Sequence, residues 1–135
     1  MAWSVGAGLE GKGVIVTGAA GGIGRHVATA FATTGARVMA VDLKQEAVEQ
    51  VVATMEGDGH SAVAADLTDL AGHDALIARA RAELGSLDVL ACLAAVLRRR
   101  GDLDDITEDD WDVQVDVNLK ATFFLCRAAP RPCSR

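Results

Sequence analysis

The sequence predicts an α/β fold: a three-layer α/β/α arrangement around a parallel sheet of about four strands and four helices. Three observations carry this. Short apolar runs alternate with stretches of helical periodicity, the signature of βαβ units. The first run passes into a helical stretch through a glycine-rich turn. Finally, 135 residues that are 50% hydrophobic and 24% charged suit one domain with its own core and argue against disorder. No internal repeat or low-complexity tract interrupts the pattern.

Val14-Ile15-Val16-Thr17 is a continuous β-rich run, as expected of a strand buried on both faces. From Gly22, residues Ile23, Val27 and Phe31 recur at i, i+4 and i+8 and mark a helix, with Gly35 placed for a left-handed C-terminal cap. Residues 37–41 read as the second strand, with Asp42 at its carboxyl end. Ala47, Val48, Val51, Val52 and Met55 form the stripe of a second helix, broken at Gly57-Asp58-Gly59. Residues 61–65 are a short third strand ending at Asp66. A helix begins near Thr68, carries Leu70, Leu76, Ile77, Ala80 and Leu84 on one face, and stops at Gly85. Residues 87–93 are the fourth strand and the most hydrophobic. After the polar segment 98–105, Thr107 and Asp110 suggest a capping box opening a long helix through Trp111, Val115, Leu119 and Phe123. Pro130 and Pro132 end it, so residues 1–129 form the domain and 130–135 an irregular tail.

Thirteen Lys and Arg against nineteen Asp and Glu give a formal charge of −6, which argues against nucleic acid or an anionic membrane as partner. A small soluble ligand fits better. No apolar stretch approaches the length of a membrane span, and the first residues lack a basic and an apolar leader region, so a cytoplasmic protein is expected. Cys92, Cys126 and Cys133 show no metal-ligand or disulfide spacing and read as reduced thiols. His26, His60 and His73 read as surface or helix-face bystanders, and no metal site is expected. The chain contains no tyrosine, so chemistry that requires a phenolic acid or base is closed to it.

Thr17-Gly18-Ala19-Ala20-Gly21-Gly22-Ile23-Gly24 lies between a predicted strand and a predicted helix, the context that gives a glycine pattern meaning. Gly18 suits the tight turn, Gly22 lets backbone approach a pyrophosphate, and Gly24 permits close packing of helix on sheet. The helix start then offers unpaired N–H groups to phosphates. Asp42 follows Gly24 at close to the separation of about twenty residues at which an acid meets the adenosine ribose of a bound dinucleotide. Such a carboxylate accepts from ribose hydroxyls and repels a 2′-phosphate, favouring NAD over NADP, with Arg25 and Lys44 as nearby cations that could offset it. Asp66 is placed either to accept from the adenine amino group, with Leu67 against the ring, or to cap the helix near Thr68.

Up to about Ala129 the chain resembles the short-chain dehydrogenase/reductase family, whose Thr-Gly-x-x-x-Gly-x-Gly loop matches Thr17 to Gly24. The resemblance implies a Rossmann-type fold and an NAD site formed by Thr17, Gly18, Gly22, Ile23, Gly24, Asp42, Leu43, Asp66, Leu67, Ala94 and Ala95. It further implies that Asn118 is the family's structural and catalytic asparagine, which holds a water in a proton relay; a solvent-facing helix residue is the alternative. Two departures stand out. Cys92-Leu93-Ala94-Ala95 replaces the usual Asn-Asn-Ala-Gly, and the catalytic serine and Tyr-x-x-x-Lys are absent. In the resembled fold the 107–129 helix packs in a dimer interface, which leaves Val113, Val117, Phe123, Phe124 and Leu125 in need of cover. Arg98-Arg99-Arg100 is either a solvated charge run or a contact for an anionic substrate.

Several functions are therefore carried forward. One is the NAD-binding portion of a truncated oxidoreductase whose intact form transfers hydride between a nicotinamide cofactor and a small alcohol or ketone, such as a polyol or sugar acid. The others are a non-catalytic NAD(H)-binding or interaction module, and half of a two-chain enzyme. In each, this chain alone is expected to be inactive, and to associate with itself or a partner chain through the 107–129 helix.

Overall fold

The structure, a computed structural model, describes residues 8–129; the expected 130–135 tail and Cys133 lie outside the described residues. Four parallel strands, β1 (Gly13–Thr17), β2 (Arg37–Asp42), β3 (Ser61–Ala64) and β4 (Val89–Cys92), form one sheet in the order β3-β2-β1-β4. Helices α1 (Gly22–Thr33), α2 (Gln45–Val52) and α3 (His73–Leu84) connect them. The fourth helix runs through 108–128 in three pieces: α4 (Glu108–Val115), a π-helical segment (Asp116–Ala121) and α5 (Thr122–Ala128).

The three layers follow from the two-residue period of the strands. Val14, Val16, Val38 and Ala40 point to one face and pack against Ala28 and Ala32 of α1 and Val48 and Val51 of α2. Ile15, Met39, Val41 and Val63 point to the other and meet Leu76, Ile77, Ala80 and Leu84 of α3 and Leu125 of α5. Burying each large side chain contributes roughly 1.5–3 kcal/mol. Both faces being covered, β1 and β2 carry unbroken apolar runs, as parallel strands do.

Several expectations are corrected. On α1 the buried face is Gly24, Ala28 and Ala32, while Ile23 is 74% exposed and Val27 and Phe31 flank the contact. Small residues win because the helix lies close on the sheet. The third helix starts later than Thr68: Leu70 sits in a 3-10 turn (Leu70–Gly72) before α3. Strand β4, though the most apolar in sequence, is only half-buried, because it pairs with β1 alone among the described residues.

The largest correction concerns the fourth helix. Trp111 and Leu119 of the apolar stripe are 66% and 65% exposed, and the inner face is Asp110, Ala121, Leu125 and Ala128; Phe123, expected to lack cover, is 61% exposed. Leu125, expected to lack cover, is fully buried; Val113, Val117 and Phe124 are half-buried. Two histidines also have structural work. His73 is buried at the start of α3 with Nε2 bonded to the Leu67 carbonyl at 2.8 Å. His60 Nδ1 accepts from Val38 N at 3.1 Å, so its Nε2 carries the proton it donates to the Glu56 carbonyl.

Candidate functional site

At the carboxyl ends of the strands lies a cleft of about 670 Å³. Strands β1, β2 and β3 are laid down in one direction across the sheet and β4 on the other side of β1. The cleft therefore opens at the point where strand order reverses, the usual ligand position in open α/β sheets.

Its floor is the turn after β1. Gly18 has φ +65°, and a Cβ there would fall 2.7 Å from Ala94 N. A Cβ on Gly24 would fall 1.9 Å from the Gly18 carbonyl oxygen, so strand turn and helix meet backbone to backbone. Nothing lies within 4 Å of a Cβ at Gly22. Gly21, the N-cap of α1, contributes no side-chain hydrogen bond, and the first turn holds no acidic residue. That end of the helix thus keeps orphan N–H groups beside the cleft, ready for an anion. Beneath the loop, the buried Thr17 Oγ1 accepts from Leu93 N at 3.1 Å and Ala94 N at 3.2 Å, tying the ends of β1 and β4 together.

One acid stands after each of the next two strands. Asp42 accepts from Ala20 N at 2.9 Å through Oδ2 and from Leu43 N at 2.8 Å through Oδ1. Each carboxylate oxygen keeps a second lone pair. Arg25, one of the two cations that could offset the Asp42 charge, donates instead to the Ala20 and Gly21 carbonyls. Asp66 Oδ1 accepts from Thr68 N at 2.9 Å and Thr68 Oγ1 at 2.7 Å, and these two bonds, the hydroxyl's foremost, hold its carboxyl below the usual range. Asp66 thus caps a turn, not a helix.

The far wall is an extended segment after β4, fastened to the fourth helix at three rungs. Asn118 accepts from Val96 N and donates to Val96 O, both at 2.8 Å. Arg98 N donates to Gln114 Oε1 at 3.3 Å. Arg100 Nε and Nη2 donate to Asp110 at 2.8 and 2.5 Å. The register is two residues along the segment for four back along the helix. Two extended residues rise about 6.6 Å and four helical ones about 6.0 Å, so the two repeats stay in step. The one asparagine of the chain sits mid-helix because its amide offers Val96 the donor and acceptor that a neighbouring strand would.

Asp110 is 1% exposed yet ionised. Arg100 first, then the Thr107 backbone, hold its carboxyl far below the usual range. It also closes the predicted capping box with Thr107. Arg98 and Arg100 are therefore committed to Asp109 and Asp110 and do not form a free cationic patch.

Of the expected site residues, Gly18, Asp42, Leu43, Asp66, Leu67, Ala94 and Ala95 line the cleft. Thr17 and Gly24 lie behind it, Gly22 and Ile23 at the exposed start of α1, and Asn118 braces Val96, itself a lining residue. Sequence reasoning missed Val96, Val113, Asp116 and Val117. The i, i+3, i+4 spacing of the last three was a signal, masked by the stronger apolar stripe through Trp111 and Leu119 on another face.

The sequence profile of the short chain dehydrogenase family matches residues 12–133. The chain is 41% identical over 122 residues to D-threitol dehydrogenase of Mycolicibacterium smegmatis, covering 89% of this chain and 46% of that one. It is 36% identical over 125 residues to 2-dehydro-3-deoxy-D-gluconate 5-dehydrogenase of Escherichia coli, covering 91% and 48%. A solved 3-ketoacyl-(acyl-carrier-protein) reductase of Brucella melitensis, complexed with NADH, superposes with TM-score 0.82 at 33% identity, covering 88% and 49%. The chain spans about half the length of the curated relatives it matches.

Proposed function

The chain belongs to the short-chain dehydrogenase family, and from that premise we propose that its 1–129 domain binds a nicotinamide dinucleotide in the cleft, NAD in preference to NADP. The carrying observation is the cleft itself, with the Gly18–Gly24 turn at its base and Asp42 and Asp66 at successive strand ends. The uncapped start of α1, with Gly22 open beside it, would take the pyrophosphate. Asp42, oriented by Ala20 and Leu43 with lone pairs to spare, would take the adenosine ribose and disfavour a 2′-phosphate. Asp66 and Leu67 would border the adenine, and Ala94 and Ala95 would line the nicotinamide side. Asn118 acts by holding Val96 in that wall. The cofactor supplies hydride transfer; this chain's residues bind, orient and exclude water.

The names of the relatives point to polyols and sugar acids as the alcohol or ketone class. Without a tyrosine this chain has no phenolic acid to move the substrate's proton, so it binds cofactor without turnover unless another chain supplies that group. The exposed Trp111, Leu119 and Phe123 form an apolar face on the fourth helix, through which the chain associates with itself or a partner. Leu119→Lys should shift sedimentation toward the monomer.

Titration of tryptophan fluorescence with NADH and NADPH tests the cofactor reading. NADH should bind more tightly, and Asp42→Ala should narrow the preference by weakening NADH. Equal affinities in both proteins would remove Asp42 from the site, and no saturable binding would remove the site altogether.

A further inference from the structure

The register of the ladder that fastens the post-β4 segment to the fourth helix continues past Asn118 through two further positions, Ala94 with Thr122 and then a pair of cysteines. Counting back two residues at a time from Val96, and forward four at a time from Asn118, pairs Cys92 with Cys126. Cys92 is the last residue of β4 and Cys126 lies on α5; their sulfurs stand 3.9 Å apart and both thiols are free. They are 34 residues apart in sequence, and no group of three or more metal-binding side chains occurs among the described residues. Cys126 is exposed and Cys92 half-buried. Neither lines the cleft, so the dinucleotide site makes no use of them.

We propose that Cys92 and Cys126 form a reversible disulfide, made by a peroxide and opened by a dithiol, that adds a covalent rung to this ladder. In the first step the exposed Cys126 thiolate attacks a peroxide oxygen. An S–O bond forms, the O–O bond breaks, and the departing oxygen leaves as water after taking a proton; sulfur is oxidised to sulfenic acid and peroxide is reduced. In the second, the Cys92 sulfur attacks the Cys126 sulfur. The S–S bond forms, the S–O bond breaks, and the hydroxyl leaves as water with the Cys92 proton. Two thiols and one hydrogen peroxide thus become one disulfide and two waters.

The division of roles follows from access. Burial first, and the adjacent Cys126 sulfur second, push the Cys92 thiol up to about 12, so it is the poorer initial nucleophile; its sulfur, 3.9 Å from that of Cys126, is the one within reach to resolve the sulfenic acid. Closing 3.9 Å to a bond of about 2.05 Å requires a modest approach of strand and helix. Strand β4 can supply it, since its described pairing is to β1 alone.

The test uses the full chain with Cys133→Ser, leaving only this pair, and does not involve the dinucleotide. After a slight excess of hydrogen peroxide, the intact mass should fall by two hydrogen atoms. The tryptic peptide carrying Cys92 should be joined to that carrying Cys126, with dithiothreitol reversing both. The thermal midpoint of the oxidised chain should rise by on the order of 10 °C. A gain of two oxygen atoms on Cys126 with Cys92 still free, or disulfides only between chains, would overturn the proposal, as would an unchanged or lower midpoint. Because the unsubstituted chain, peroxide-treated, reports the same peptides, the result does not hang on the folding of a variant.

Discussion

On the β1–α1 side of the cleft, Gly18 and Gly24 bring backbone against backbone; on the β4–α4 side, an extended segment is held to a helix by side chains at three rungs. At those two positions the first wall has no room for an added carbon. The second is a set of separable hydrogen bonds, each removable with the others in place. A contact made of backbone is therefore expected to fail as a unit, and one made of side chains by degrees.

The strongest way to test that contrast is to add one methyl group to the first wall. Gly24→Ala sets a carbon where the Gly18 carbonyl stands 1.9 Å away, and should destabilise the chain by on the order of 3 kcal/mol or more. The urea midpoint measures it, and NADH binding should vanish with it. A loss below about 1 kcal/mol would show that the turn can yield, and that the walls differ less than their construction suggests.

On the second wall the expected effects are smaller. Asn118→Ala removes two hydrogen bonds, for about 1–3 kcal/mol together. Hydrogen exchange should accelerate at the Val96 amide while those of Val14 and Val16 in β1 stay protected. If all three accelerate alike, the ladder and the sheet are one cooperative unit. Thr107→Ala takes away the N-cap that holds the Asp110 N–H at 3.1 Å and should lower stability by about 1 kcal/mol in chemical denaturation.

Mild acid should have the least effect. The Asp110 carboxyl is held below its unfolded value of about 3.9, so the stability it contributes is fully present above that pH. It is lost only as pH falls through the lower folded value. Comparing Arg100→Gln with the parent chain from pH 7 to 2 checks this. The stability difference should be constant down to about pH 4 and shrink below it. A difference that shrinks already between pH 7 and 5 would mean that Asp110 does not carry the charge of the rung.

Local chemistry made much of this legible in advance. Val14 to Thr17 reads as a doubly covered strand from four adjacent side chains, and Gly18, Gly24, Asp42 and the Thr107–Asp110 box occupy the places their spacing suggested. Apolar content was a poorer guide. Trp111, Leu119 and Phe123 form a regular stripe and face outward, while Asp110 is buried because Arg100, ten residues earlier, neutralises it. The i, i+4, i+8 recurrence of Ile23, Val27 and Phe31 marks α1 but not its inner face, which is Gly24, Ala28 and Ala32, since periodicity does not say how closely a helix lies on its sheet.

The sequence by itself determined the order of elements, the parallel sheet, the glycine turn and the acids after the strands, because each depends on neighbours within a few residues. Only the tertiary structure decided which face of the fourth helix turns inward, and that Asn118, Gln114 and Asp110 meet Val96, Arg98 and Arg100. It alone placed Cys92 beside Cys126. Those pairings arise where a two-residue repeat in an extended segment runs against a four-residue repeat in a helix, and neither repeat contains the other's register.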